Sequence, residues 1–204
     1  MSPAPFPAAH AEEIIEFWFA RPGDPEFETG RKVWFEPRRA FDEDIRRRFE
    51  ATHGAAAAGA LDGWMAASRT CLALVLALDQ FPRNMYRFHP RSYATDAKAI
   101  AVARHAVAQG HDRSLRAIER TFVYLPFEHS ENLDDQRRGV ALVRGLAAHP
   151  RGADWLGFAE RHMRIVERFG RFPHRNAILG RASTAEETAF LTEPHSTFLR
   201  EPKE

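Results

Sequence analysis

The run Cys71-Leu-Ala-Leu-Val-Leu-Ala-Leu78 constrains the fold more than any other stretch of this chain. Its eight consecutive apolar residues leave no polar face for water, so the segment has to be covered on every side. Asp62 upstream is a good N-cap, and Pro82 downstream ends a regular helix. These signals predict a helix from Gly63 to about Asp79 that serves as the hub of the core. The apolar run is far shorter than the ~20 residues that a membrane crossing needs.

A covered hub needs amphipathic partners, and the flanking sequence supplies them. Ala9 to Phe19 carries Ile14, Ile15, Phe17, Trp18 and Phe19 before Pro22 and Gly23 break it. Arg38 to Thr52 places Phe41, Ile45 and Phe49 on one stripe, with Arg46, Arg47 and Arg48 as a solvated face. Thr95 or Asp96 caps a helix with Ile100, Ala103 and Val107 inward and Gly110 just past its end. Three more are predicted: Asp112 to Phe122; Asn132 to Ala148, with Val140, Val143 and Ala147 inward; and Asp154 to Phe169, with Trp155, Phe158, Ile165 and Phe169 apolar and Gly170 after it. Thr184-Ala-Glu-Glu187 is a capping box that opens a short last helix with Phe190 and Leu191. No segment alternates in the manner of a strand. The expectation is all-α, a helix-hairpin bundle or superhelix of about eight helices, in one domain over residues 1–204, with 1–10 and 192–204 as extended tails. Trp18, Phe19, Trp34, Phe35, Trp64 and Trp155 are assigned to packing.

Charge and cysteine content narrow the function classes. With 29 basic and 28 acidic residues spread along the chain, the net charge of +1 gives no field for nucleic acid or an anionic membrane. Cys71 is the single cysteine and lies inside the apolar run, so no internal disulfide forms and a reducing compartment is the natural setting. Met1 to His10 has neither the basic patch nor the apolar stretch of a signal peptide, so a cytoplasmic location is expected. The sequence has no His-Glu-x-x-His pair, no pair of Glu-x-x-His motifs of the di-iron bundle kind, no glycine-rich nucleotide loop and no Gly-x-Ser-x-Gly elbow. Neither a cofactor nor a dedicated metal site is expected.

Three distant stretches combine proline and aromatic residues with titratable or amide groups: Leu78-Asp79-Gln80-Phe81-Pro82-Arg83-Asn84, Tyr124-Leu125-Pro126-Phe127-Glu128-His129-Ser130-Glu131, and Phe169-Gly170-Arg171-Phe172-Pro173-His174-Arg175-Asn176. Each is placed at a helix end, and each has a scaffolding reading beside a functional one. Asp79 pairs with an arginine, Arg83 meets helix-end carbonyls and Asn84 takes a tight backbone angle, or Asp79 and Arg83 face a shared cavity. Glu128, Glu131, Asp134 and Asp135 suit the positive start of a helix capped by Ser130 or Asn132. His129 is not needed for that task and suits proton transfer near neutral pH. Asn176 caps a short turn over 177–179, while His174 and Arg175 either follow a helix end or bind an anion.

Together with Phe17-Trp18-Phe19, Trp34-Phe35, Tyr93-Ala-Thr-Asp96, Asp135-Gln136 and Leu179-Gly-Arg181, these motifs occur in an order that resembles the bacterial "domain of unknown function 924" family over roughly Ala11 to Leu191. The resemblance implies an all-helical fold related to tetratricopeptide-repeat superhelices and no established activity. The chain departs from the family pattern at Arg87-Phe88-His89-Pro90, where a small residue commonly follows the Tyr-Arg pair, so the loop before Tyr93 is expected to differ.

Two functional classes follow. The first is a binding module whose polar pocket gathers Asp79, Gln80, Arg83, Asn84, His129, Glu131, His162, His174, Arg175 and Asn176 around a small anionic ligand or a charged peptide end, with Arg83 and Arg175 on the anion. The second is a metal-independent hydrolase or transferase with His129 or His174 as general acid or base and Glu131 or Asp79 orienting it. Water or Ser130 would be its nucleophile. Convergence of the motifs, with an imidazole nitrogen bonded to a carboxylate and space beside it, favours the enzyme.

Overall fold

The apolar run lies at the centre of the molecule, but the helix that carries it is less regular than its sequence predicts. The computed structural model describes residues 6–27, 30–34, 36–194, 196–199 and 202–203. Phe35 lies outside the described residues, as do 1–5, 195, 200, 201 and 204 of the expected tails. Among the described residues eight helices form: α1 (Ala8–Phe19), α2 (Arg39–Ala57), α3 (68–85), α4 (Asp96–Ala108), α5 (Ala117–His129), α6 (Leu133–Arg144), α7 (Gly152–Phe169) and α8 (Ala185–Phe190). The one β pairing among them is an isolated parallel bridge between Arg38 and Lys203. The chain is all-α, as expected.

Every residue from Leu72 to Asp79 is fully buried, at 0 % exposure, which makes α3 the hub. Asp62 does not cap it. Asp62–Ala66 forms a separate 3-10 turn that tucks Trp64 inward, Asp62 pairs with Lys98 at 2.7 Å, and Ala67 is extended before the helix starts at Ser68. Nor does Pro82 end the helix. Ser68–Val75 is α-helical, Leu76–Gln80 is a π turn, and Phe81–Met85 returns to α with Pro82 in its first turn. Pro82 has no N–H to offer the carbonyl of Leu78, and its ring would clash with that oxygen in a regular turn. The extra residue of the π turn clears the ring, and side chains take up the freed carbonyls. Thr95 Oγ1 donates to Leu78 O at 2.6 Å, His53 Nδ1 to Ala77 O at 2.9 Å and Arg83 to Asp79 O at 2.6 Å. Asn84 is therefore helical, and a left-handed angle falls on Phe88 instead, at φ 59°, in the loop before Tyr93.

Pro126 likewise fails to break its helix. α5 runs through it to His129, because one lost hydrogen bond is outweighed by packing on a helix in which nine of thirteen residues are buried. The expected helix over 112–122 is thus a 3-10 turn, His111–Ser114, followed by the longer α5. α6 closes against α5 at Gly139, where a Cβ would stand 3.0 Å from that of Phe127. The side-chain Oδ1 of Asn132 caps α6 by accepting from the N–H groups of Asp134 and Asp135. α6 ends at Arg144, so the register shifts beyond it and Leu146, rather than Ala147, turns inward. Arg48 lies over the rings of Phe17 and Phe49 and Arg46 donates to Met85 O, so only part of the basic run on α2 is a solvated face. Thr184 and Glu187 form the expected capping box of α8.

Candidate acid–base site

The π turn aims the Asp79 carboxylate at the end of α5. Asp79 Oδ1 accepts from His129 Nδ1 at 2.8 Å, Gln80 donates to Oδ2 at 2.6 Å, and Arg83 stands 3.2 Å from Oδ1. Arg83 also reaches Asp96 at 2.9 Å, and Asp96 accepts from Arg175 at 3.2 Å. Arg175 in turn donates to the carbonyl of His129 at 3.0 Å, so all three motifs converge on one point. The last turn of α5 is fixed in place by Gln136, whose amide donates to the carbonyls of Glu128 and Ser130, both at 2.6 Å.

A cavity of about 520 Å³ opens beside this cluster, within the range of small-molecule sites. Among the described residues lining it are five arginines, Arg83, Arg87, Arg151, Arg161 and Arg175, and one carboxyl group, that of Glu128. His129, His162 and His174 line it too. A second cavity of about 380 Å³ lies beyond a partition made by Tyr93, His129 and Arg175 and is lined by Asp79, Asp96 and Glu131.

The electrostatics give these groups different protonation states. Burial alone would raise the Asp79 carboxyl, but Arg83 and His129 hold it far below the usual range, so it stays ionised. Burial and the Arg83 charge push His129 down, which favours the neutral ring. With its Nδ1–H given to Asp79, neutral His129 presents a bare Nε2 that has no hydrogen-bond partner among the described residues. Glu128, 3 % exposed, is pushed up to about 8 by burial and by the Asp79 charge, so it carries a proton at neutral pH. Its carboxyl stands 3.5 Å from His162 Nδ1, and His162, bonded to Phe158 O, is held well below its ordinary value by burial and by His129. His174 is lowered to about 3 by burial and by Arg175.

Not every expected residue joins the cavity. Asp79 orients His129 from behind the larger cavity wall, whereas Glu131 accepts from the N–H of Phe172 and from Arg181 and never reaches the imidazole. Asn176 faces away, bonded to Ser183, Glu187 and Arg181 beneath α8. Its amide links side chains instead of capping the turn that follows. Asn84 sits at the cavity edge with its amide on Asp42 at 2.7 Å. His174 has no carboxylate to orient it, and its Nδ1 is buried without a partner among the described residues. Ser130 is engaged with Asp135 at 2.7 Å. Among the described residues no group of three or more His, Cys, Asp or Glu side chains is arranged to hold a metal ion. Glu128 was assigned in the sequence to the start of a helix and so escaped the site. Reading α5 through Pro126 would have put it three residues from Leu125, on the stripe of Ile118, Thr121 and Phe122.

Fold and site together define an all-helical protein in which a carboxylate-held imidazole and a protonated acid face an arginine-lined cavity. The chain belongs to the family described as bacterial protein of unknown function, DUF924, whose model matches residues 14–195. It is similar to the solved structure of a protein of unknown function from Agrobacterium tumefaciens, at 43% sequence identity and a TM-score of 0.82 over 92% of this chain and 99% of that one. No curated protein matches it. No helix among the described residues is long and apolar enough to cross a membrane.

Proposed function

We propose that the protein is an enzyme of hydrolase or transferase type that moves protons with His129 as base and Glu128 as acid. The observation that carries this reading is the Asp79–His129 pair, at 2.8 Å, with Nε2 unpartnered among the described residues and His129 among the residues that line the cavity. Asp79 plays the orienting role, keeping the ring in the tautomer that leaves Nε2 basic.

The lining hydroxyls of Ser92, Thr121 and Thr197 bond to backbone groups rather than to His129, and burial pushes the Tyr93 phenol up and keeps it protonated, so water, or an acceptor hydroxyl brought by a second substrate, is the nucleophile. In the hydrolytic case His129 Nε2 takes a proton from water, the oxygen bonds to the electrophilic centre, and the bond to the leaving group breaks. Glu128 gives that group its proton, and the proton on His129 returns to Glu128 through solvent. Arg83 and Arg175 stabilise the negative charge that develops. The binding-module reading shares the cavity, and the arginine-rich lining favours it; it holds if an anion binds and is released unchanged.

The test is hydrolysis of a panel of anionic esters, amides and phosphate esters by the wild type, H129Q and D79N. Turnover falls ~10²–10⁴-fold in both variants. The rate rises with pH as His129 loses its proton, below its ordinary 6.5, and falls again as Glu128 ionises, about 8. Wild-type turnover in H129Q would sink the proposal.

A further inference from the structure

The larger cavity is long rather than round. On α5 its lining residues are Ile118, Thr121, Phe122, Leu125, Glu128 and His129, one stripe that covers roughly 16 Å at 1.5 Å per residue. α7 supplies the matching stripe Arg151, Trp155, Phe158, Arg161 and His162. The two run side by side in the same direction. Ile118 and Arg151 both flank Gly30 at one end, where a Cβ would stand 3.0 Å from Ile118 Cδ1 and 3.1 Å from an Arg151 nitrogen. Glu128 and His162 meet at the other, 3.5 Å apart.

The lining changes character along this length. Ile118, Phe122, Leu125, Trp155 and Phe158 make the middle reach apolar, with Arg151 at the Ile118 end, whereas Arg83, Arg161 and Arg175 line it with His129 toward the other end. Asp79 and Asp96, which pair with Arg83 and Arg175, do not line this cavity, so the guanidinium side faces it and the carboxylates stand behind. An anion set there has an apolar wall leading away from it.

We infer that the substrate is an amphipathic organic anion: a carboxylate or phosphate head held at the His129 end, with an apolar chain or ring along Ile118 to Leu125 and Trp155 to Phe158. This rests on the acid–base reading only for the reacting end; binding itself is independent of turnover.

The experiment is calorimetric titration with acetate, butanoate, hexanoate and octanoate, with inorganic and octyl phosphate, and with octanol. The dissociation constant is expected to fall ~3- to 4-fold for each added methylene. Octanol binds at least ~10-fold more weakly than octanoate, and the stronger of octanoate and octyl phosphate identifies the head. Leu125→Asn flattens the chain-length series; should it fold poorly by circular dichroism, Phe158→Asn, at an exposed position, repeats the test. A series with no length dependence, or octanol binding as tightly as octanoate, overturns the inference. H129Q separates the two claims. Chain-dependent binding kept in H129Q without any wild-type turnover removes the enzyme and leaves the amphipathic ligand, while turnover of short anions with a flat series does the reverse.

Discussion

At the scale of single residues the site depends on two carboxyl groups with opposite fates. Asp79 and Glu128 are both buried, yet one touches Arg83 and His129 and is ionised, while the other is desolvated, feels the Asp79 charge and keeps its proton. The asymmetry is what an acid and a base working at one pH require. It also has a consequence for stability. Glu128 titrates at about 4.5 in the unfolded chain and about 8 in the folded one. Its contribution is complete below 4.5, shrinks as the unfolded chain ionises first, and is gone once pH passes about 8. Glu128→Gln cannot ionise, so its stability relative to wild type should grow on the order of a few kcal/mol from pH 5 to 9, read by urea denaturation at each pH. A difference that stays constant with pH would show that Glu128 is not held protonated. None of this was legible from the motif alone. The neighbours that matter, Asp79 for Glu128 and Arg83 for His129, are supplied by a distant helix, whereas the local run Glu128, Glu131, Asp134, Asp135 resembles an ordinary helix start.

Among the elements, α3 decides where the site forms. Its π turn is the price of keeping Pro82 inside a helix, and the same turn redirects Asp79 toward α5. Thr95 is central to this, because its hydroxyl replaces the backbone donor that Pro82 lacks at Leu78 O. Thr95→Val should cost ~1–3 kcal/mol by leaving that buried carbonyl unsatisfied. In a Pro82→Ala background the N–H of residue 82 becomes available to the same oxygen, so the Thr95 loss should cost less there. A double-mutant cycle by urea denaturation should give a coupling of ~0.5–3 kcal/mol. Additive costs would refute this account of the turn. Helix existence was legible wherever an apolar stripe repeated, as in α2, α4 and α7. Helix ends were legible where a cap is local, as with Gly170 and the Thr184 box. Pro82 and Pro126 misled because a proline penalises one turn only, and tertiary packing on both sides of that turn prevailed. The resemblance to the family had the motifs right without their geometry, since the convergence of Asp79, His129 and Arg175 is made by contacts between helices far apart in sequence.

For the molecule as a whole, the described residues near its C-terminal end complete the larger cavity. Ser196 is buried and bonded to Leu191 O, and Phe198 stacks on His162 with ring centroids 3.7 Å apart and planes within 7°. Lys203 exchanges backbone hydrogen bonds with Pro37 and Arg39, at 2.8 and 3.0 Å, where α2 begins. Pro37 and Trp34 line the same cavity as Phe198, so segments from near both ends of the sequence share its wall. Phe198 covers the imidazole of His162, and Arg161 lies over the other ring at 4.2 Å. Removing that ring exposes His162 to water, which relieves the burial that lowers its proton affinity. In Phe198→Ala the titration of His162, followed by its ring proton resonances in NMR spectra, should move up toward the ordinary histidine range, while in the wild type it stays well below. The stability cost should be modest, ~1–3 kcal/mol, because a half-buried ring is lost from an edge of the fold rather than from its hub. An unchanged His162 titration in a folded Phe198→Ala protein would mean that α5 and α7 alone exclude water from the reacting end, and that residues 196–199 close the cavity without governing its chemistry.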